Sequence, residues 1–244
     1  MKILAVAGRV LTQIRRDHRT LAMLLVLPCL LMSLLWWMFE GQGQPGDAFD
    51  RFGPGLLAIF PFTVMFLVTS VTTLRERSSG TLERLLSMPM GRLDFLLGYA
   101  VAFGVIAALQ SAIAVTVSVG LLGLDVKGPL WLLGVVAIAD AVLGTAIGLF
   151  VSAFATTEFQ AVQFMPLVVV PQILLCGLFV APESMPRVLE AISGVLPLTY
   201  AVDAMQELVG AADESVVWGD VGVVLGFALT GLALGAATLR RRTE

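Results

Sequence analysis

Six runs of apolar residues, at 21–39, 54–74, 95–122, 130–155, 159–180 and 216–239, govern what this chain can become. Each is long enough to cross about 30 Å of hydrocarbon as a helix. Composition leaves no other home for them. Apolar residues make up 58% of the chain and charged residues 14%, against about 25% charged in a soluble domain, and mean hydropathy is +0.93. The 244 residues therefore lack the polar side chains to cover a water-facing globule. The expected fold is an all-α membrane protein with six transmembrane helices, one permeating domain over 1–244. Disorder, collagen-like repeats and a disulfide scaffold are excluded as descriptions of the whole. The first run starts too late, runs too long and lacks a small-x-small cleavage site, so it does not read as a secretory signal.

Lys and Arg set the orientation of such a bundle, because they stay on the cytoplasmic side. One set of connecting segments holds Lys2, Arg9, Arg15, Arg16, Arg19, Arg75, Arg77, Arg84, Arg92, Arg240, Arg241 and Arg242, and the opposite set holds Arg51, Lys127 and Arg187. Both termini are therefore expected in the cytoplasm, with the chain multi-pass in the plasma or inner membrane. Asp47, Asp50, Glu183, Glu190, Asp213, Glu214 and Asp220 then lie outside.

Several kinds of chemistry lack the residues they need. The chain has one histidine, His18, and two cysteines, Cys29 and Cys176. A zinc site takes about three or four ligands in one place, and a Ser-His-Asp triad would have to use His18, which sits between Arg16 and Arg19 at the foot of a span. Cys29 lies mid-span and Cys176 near the outer end of the fifth, about 13 Å apart in depth at 1.5 Å per residue, so no disulfide is expected. A net charge of −3 argues against nucleic acid as a partner.

The segments between the runs carry the remaining information. In residues 1–19, Ile3, Leu4, Ala7, Val10, Leu11 and Ile14 share one helical arc, and Lys2, Arg9, Gln13, Arg15 and Arg16 the other. This is an interfacial amphipathic helix with its cations near anionic headgroups, either a simple anchor or an elbow that also touches a cytoplasmic partner. The loop 75–92 reads RERSSGTLERLLSMPMGR. Ser78, Ser79 and Gly80 can open a helix there, Leu82, Leu85 and Leu86 fall on one side of it, Glu83, Arg84 and Ser87 on the other, and Pro89 can stop it. It is either a solvated turn or a docking element for a cytoplasmic subunit. The turn Thr156, Thr157, Glu158 is too short for a soluble domain, and no G-x-x-x-x-G-K-[ST] phosphate loop occurs. ATP hydrolysis, if transport uses it, is therefore expected on another chain. In the external stretch 181–215, Pro182, Pro186 and Pro197 can begin or break helices. Two short amphipathic helices resting in the outer leaflet are expected there, capping a pathway or filling space between spans.

Inside the membrane Asp140 stands out, because a carboxyl in lipid is expensive and a functional candidate by default. It is either protonated or faces a hydrated cavity. Gly144–Gly148, Gly222–Gly226 and Gly231–Gly235 have the small-xxx-small spacing of close helix approach. Pro28, Pro61, Pro166 and Pro171 fall within spans one, two and five, where they remove backbone donors. Spans two and five also hold aromatic and polar residues well inside: Phe60, Phe62, Thr63, Phe66, Thr69 and Ser70 in one, Gln160, Gln163, Phe164 and Gln172 in the other. Such a lining suits an amphipathic or hydrophobic substrate better than a small ion.

These parts together resemble the membrane subunit of ATP-binding-cassette type-2 exporters, the permease family of drug, lipid and polysaccharide exporters. The most specific match is ERSSGTLERLLSMP, similar to the family's E-x-x-x-G-T-x-E/L-x-L…P segment through Glu76, Gly80, Thr81, Leu82, Glu83, Leu86 and Pro89. The second is the fifth span leading to Pro182, Pro186 and LPLTYAVDA at 196–204. The resemblance implies a coupling helix in the first match, with Arg75, Glu76, Gly80, Thr81, Leu82, Glu83, Arg84 and Leu86 meeting the ATPase. It also implies two permease copies, identical or different, with two ATPase subunits that bind ATP and Mg, no cofactor or catalytic residue on this chain, and a substrate route between spans two and five of the two copies. Asp140 belongs to no pattern of that family. A proton-coupled secondary transporter using Asp140 is the alternative; it would be expected to show internal repeats, and none is seen.

Overall fold

In the computed structural model, residues 2–40, 45–78, 92–210 and 213–238 are described. Among them the chain forms nine α-helices and one 3-10 turn: α1 Lys2–Arg16, α2 His18–Glu40, α3 Pro45–Ser78, α4 Arg92–Gly120, α5 Leu130–Ser152, α6 Glu158–Leu175, the turn Pro182–Ser184, α7 Arg187–Ser193, α8 Pro197–Gly210 and α9 Glu214–Thr238. No strand is present among the described residues. Six helices are long and apolar enough to cross a membrane: α2, α3, α4, α5, α6 and α9. They alternate in direction, so α1, the start of α2 and the foot of α3 gather Arg15, Arg16, Arg19 and Arg75 at one end of the bundle. All four tryptophans, Trp36, Trp37, Trp131 and Trp218, belong to the opposite end, where Trp131 and Trp218 lie 6.1 Å apart. Trp at the level of the headgroups marks a membrane boundary.

The bundle is built around α5. It is the most buried of the spans, whereas α2 and α6 are mostly exposed. One of the three predicted small-residue pairs, Gly144–Gly148, explains why α3 comes so close to it. An added Cβ at Gly144 would overlap the Phe62 carbonyl oxygen and sit 3.1 Å from Phe62 Cα, and at Gly148 it would sit 3.2 Å from Phe66 Cα. On the other side of α5, an added Cβ at Gly231 would lie 3.5 Å from Ala146 and at Gly235 3.7 Å from Phe150, both ordinary contacts. Gly222 and Gly226 have nothing within 4 Å and face outward. Where a partner backbone must pass, only hydrogen fits.

The ends of the spans differ from the sequence reading in a few places. Pro28, Pro54, Pro61, Pro166 and Pro171 all lie within continuous helices. Beside Pro171, the Gln172 side-chain amide donates to the Val168 carbonyl at 3.0 Å, so a polar group there is used internally. The fifth span stops at Leu175, not 180, because Gly177 adopts φ +88, which terminates a helix and which other residues rarely adopt. The predicted helix over Gly80–Leu86 lies outside the described residues.

The stretch expected to be external does form two short helices, α7 and α8, but only α7 is peripheral to the bundle. The chain bends by 86° between α7 and α8. Within LPLTY, Thr199 Oγ1 donates to the Ser193 carbonyl at 2.9 Å and Tyr200 Oη to the Gly194 carbonyl at 2.7 Å. Ser193 Oγ donates in turn to Leu175 at the end of α6, at 2.7 Å. These bonds occupy carbonyls that a helix end leaves open. They aim α8 inward, so that Leu198, Ala201, Val202, Met205 and Leu208 are buried in the main core rather than resting in the outer leaflet.

Candidate functional site

At the basic end, the last turn of α3 carries Arg75 and Glu76, and consecutive residues on a helix point about 100° apart. They therefore reach different neighbours. Arg75 makes a two-pronged contact with Glu158 in the first turn of α6, Nε donating to Oε1 at 2.9 Å and Nη2 to Oε2 at 2.8 Å. Glu158 is held there because Thr157 caps α6, its hydroxyl accepting from the Gln160 N–H at 3.2 Å. Glu76 turns the other way. It accepts from Arg9 Nη2 of α1 at 3.0 Å, and the same Nη2 donates to Tyr99 Oη of α4 at 3.0 Å. The Tyr99 hydroxyl also hydrogen-bonds Glu76. These are the two ion pairs among the described residues, and both leave from the foot of α3.

The two pairs differ in environment. Glu76 and Tyr99 are buried, while Arg75 and Glu158 keep 60% and 51% of their side-chain surface in solvent. Burial pulls the Arg9 guanidinium down, but Glu76 and Tyr99 together hold it above its ordinary value. Arg9 and Tyr99 escaped the sequence reading. On the helical wheel of α1, Arg9 belongs to the polar arc, and only the docking of α1 onto α4 turns it inward. That docking buries Val6, Ala7, Val10 and Ile14 and brings Val6 against Gly98, where an added Cβ would lie 2.6 Å from Val6 Cβ. Leu4, assigned to the apolar arc, stays 70% exposed. Glu158 was read only as part of a short turn; an isolated acid in the first turn of a helix beside an Arg-rich loop was the available signal.

The candidate route residues separate into two groups. Phe62, Phe66 and Thr69 are fully buried, held against α5 by the close approach at Gly144 and Gly148. Phe60 and Thr63 are half-buried on the side of α3 that also carries Val71. Val71 packs with Leu74, Ala155, Ala161 and Phe164 where α3 meets α6. On α6, Gln163 is exposed and Phe164 half-buried, whereas Gln160 Oε1 is taken up by the Thr156 N–H and hydroxyl, both at 2.9 Å. Gln172 is buried. Phe60, Thr63 and Phe164 are thus partly buried, with Phe60 and Phe164 packed against the main core, while Phe62, Phe66 and Thr69 are enclosed in it. Gly80, Thr81, Leu82, Glu83, Arg84 and Leu86 lie outside the described residues.

Asp140 lies one turn from Gly144 on the face of α5 that meets α3. It is fully buried, and neither carboxyl oxygen has a hydrogen-bond partner. Cys29 and Cys176 are free thiols.

Comparison with known proteins places this geometry. The probable multidrug ABC transporter permease YbhS of Escherichia coli K12 is 29% identical over 165 residues, 67% of this chain and 44% of that protein. The inner membrane transport permease YhhJ of the same organism is 31% identical over 183 residues, 69% of this chain and 48% of that one. The linearmycin resistance permease protein LnrN of Bacillus subtilis is 26% identical over 187 residues, 73% and 48%. The chain spans about half the length of the curated relatives it matches. The family described as ABC-2 type transporter matches residues 1–209, which hold five of the six apolar helices, and the chain belongs to the ABC-2 type transporter family.

Proposed function

We propose that this chain is the membrane-spanning permease of an ATP-binding-cassette exporter that moves a hydrophobic or amphipathic substrate, drug-like or lipid-like, out of the cytoplasm. The basic end faces the cytoplasm, in agreement with the positive-inside rule. ATP and Mg bind to a separate ATPase present in two copies, and a second permease subunit completes the assembly. The family match over residues 1–209 on a six-span bundle is the observation that carries this reading. Relatives named for multidrug transport and for linearmycin resistance favour a hydrophobic cargo.

In this reading the loop that follows α3 meets the ATPase. Gly80, Thr81, Leu82, Glu83, Arg84 and Leu86 form the coupling region, with Glu83 and Arg84 docking by charge-assisted contacts, and Arg75 and Glu76 join it to the bundle at the foot of α3. Closure of the ATPase pair shifts the population of pathway states, and the cargo passes between α3 and α6 of the two permease copies, past Phe60, Thr63, Gln160, Gln163, Phe164 and Gln172. Phe62, Phe66 and Thr69, also candidates for that route, are buried against α5 in this chain.

The test is a mild-detergent pull-down of the tagged chain followed by efflux from reconstituted vesicles. A stoichiometric ATPase with ATP-dependent efflux is expected, and Glu83→Ala with Arg84→Ala should abolish efflux while the subunit stays folded in the membrane. A chain that purifies alone and transports on a proton gradient would refute the proposal and favour the Asp140 alternative, whose footing is the unpartnered buried carboxyl.

A further inference from the structure

The foot of α3 is tied to its two neighbours with unequal strength. Toward α1 and α4 the tie is Glu76, 5% exposed, bonded to Arg9 and Tyr99. It is backed by a core of Val6, Val10, Leu24, Tyr99, Phe103 and Ile106. Toward α6 the tie is an ion pair standing in solvent, backed by a small cluster of Leu74, Ala155 and Ala161 with Val71 and Phe164. Breaking a buried pair by removing one partner strands a charge in low dielectric. Breaking a solvated pair strands nothing, because water replaces each partner and salt already screens them.

From this asymmetry we infer that the α3 foot is a two-way joint. The Arg9–Glu76–Tyr99 contact keeps α1 and α4 moving with α3, and the Arg75–Glu158 pair is a releasable latch between the foot of α3 and the first turn of α6. Arg9, Tyr99 and Glu158 are then positioning residues for coupling. A displacement of the loop beyond Ser78 reaches both ties through one rigid helix, and the α6 side yields first. This rests on the exporter reading for the direction of the push and for which side is cytoplasmic. The order in which the ties yield rests on the geometry alone.

Cysteine accessibility tests it in the full chain without needing the ATPase. Ala161, fully buried in the small α3–α6 cluster, and Ala102, fully buried in the α1–α4 core, are each replaced by Cys. Labelling by a membrane-impermeant maleimide is followed in inside-out vesicles, against the parent carrying only Cys29 and Cys176. Glu158→Gln should speed labelling of the Ala161→Cys chain about 1.5- to 5-fold, the equilibrium weight of an exposed ion pair. It should leave the Ala102→Cys chain unchanged. Exchanging the charges, Arg75→Glu with Glu158→Arg, should return the rate to that of the parent pair. Equal acceleration at both positions, no acceleration at 161, or failure of the exchange to restore the rate would each overturn the latch. A missing ATPase in the pull-down would instead overturn the exporter reading and leave these rates as measured.

Discussion

The close approach of α3 to α5 gives the most direct test of the packing. Replacing Gly144 by Ala adds one methyl group where the Phe62 carbonyl oxygen already lies, with Phe62 Cα 3.1 Å away. The obstructing atoms are backbone, so no side chain can swing aside; α3 and α5 must separate by a fraction of an ångström along their shared length. Such overpacking costs about 1–3 kcal/mol. At about 2–4 °C per kcal/mol for a chain of this size, the midpoint of thermal unfolding in detergent should fall by about 2–12 °C. Gly148→Ala meets the same obstacle at Phe66, one turn away. One outward shift of α3 relieves both clashes, so the double variant should lose less than the sum of the singles. Gly226→Ala is the control, because nothing lies within 4 Å of its added Cβ and Ala is the better helix former by about 0.8–1 kcal/mol. Its midpoint should hold or rise. A Gly144→Ala chain as stable as the parent, or a Gly226→Ala chain equally weakened, would refute the argument that these glycines set the α3–α5 distance.

Three further outcomes are expected. Arg9→Met should destabilise by about 1.5–3 kcal/mol, since it removes a charge-assisted bond to buried Glu76, and Arg75→Ala by no more than about 1 kcal/mol; detergent unfolding in which Arg75→Ala costs more than Arg9→Met would contradict the joint. Asp140→Asn removes no hydrogen bond or ion pair, since the carboxyl has none, and efflux should stay within about 2-fold of the parent, about 0.4 kcal/mol; its loss would support proton coupling. Asp17 opens α2 by accepting from the Thr20 hydroxyl at 2.6 Å and the Thr20 N–H at 3.1 Å. Those two bonds hold its carboxyl below the usual carboxylate value. A depressed folded-state value contributes stability above the unfolded value of about 3.9 and loses it as pH falls toward the folded one. Amide exchange in the first turn of α2 should therefore quicken below about pH 4, and Asp17→Ala should erase that dependence.

The apolar runs alone were enough to specify six helices and their approximate ends, because a backbone in hydrocarbon has to satisfy its own hydrogen bonds. The interfacial character of α1 and the use of Gly144 and Gly148 were also legible, since helical periodicity and residue size act locally. The LPLTY segment was legible as a helix start, but not as the hydroxyl-bonded 86° corner that sends α8 into the core. The site was legible only in part. Arg75 and Glu76 were visible as charges in a loop, yet their partners are 83 and 67 residues away in sequence, and no period or spacing encodes a contact over that distance. Likewise Phe60 and Phe62 look equivalent in sequence, and which of them is fully enclosed depends on where the backbone of α5 presses. Residue chemistry and local period decided what each segment is; the packing of α1, α3, α5 and α6 decided which charges meet and which aromatics stay exposed, because only there do distant residues compete for the same space.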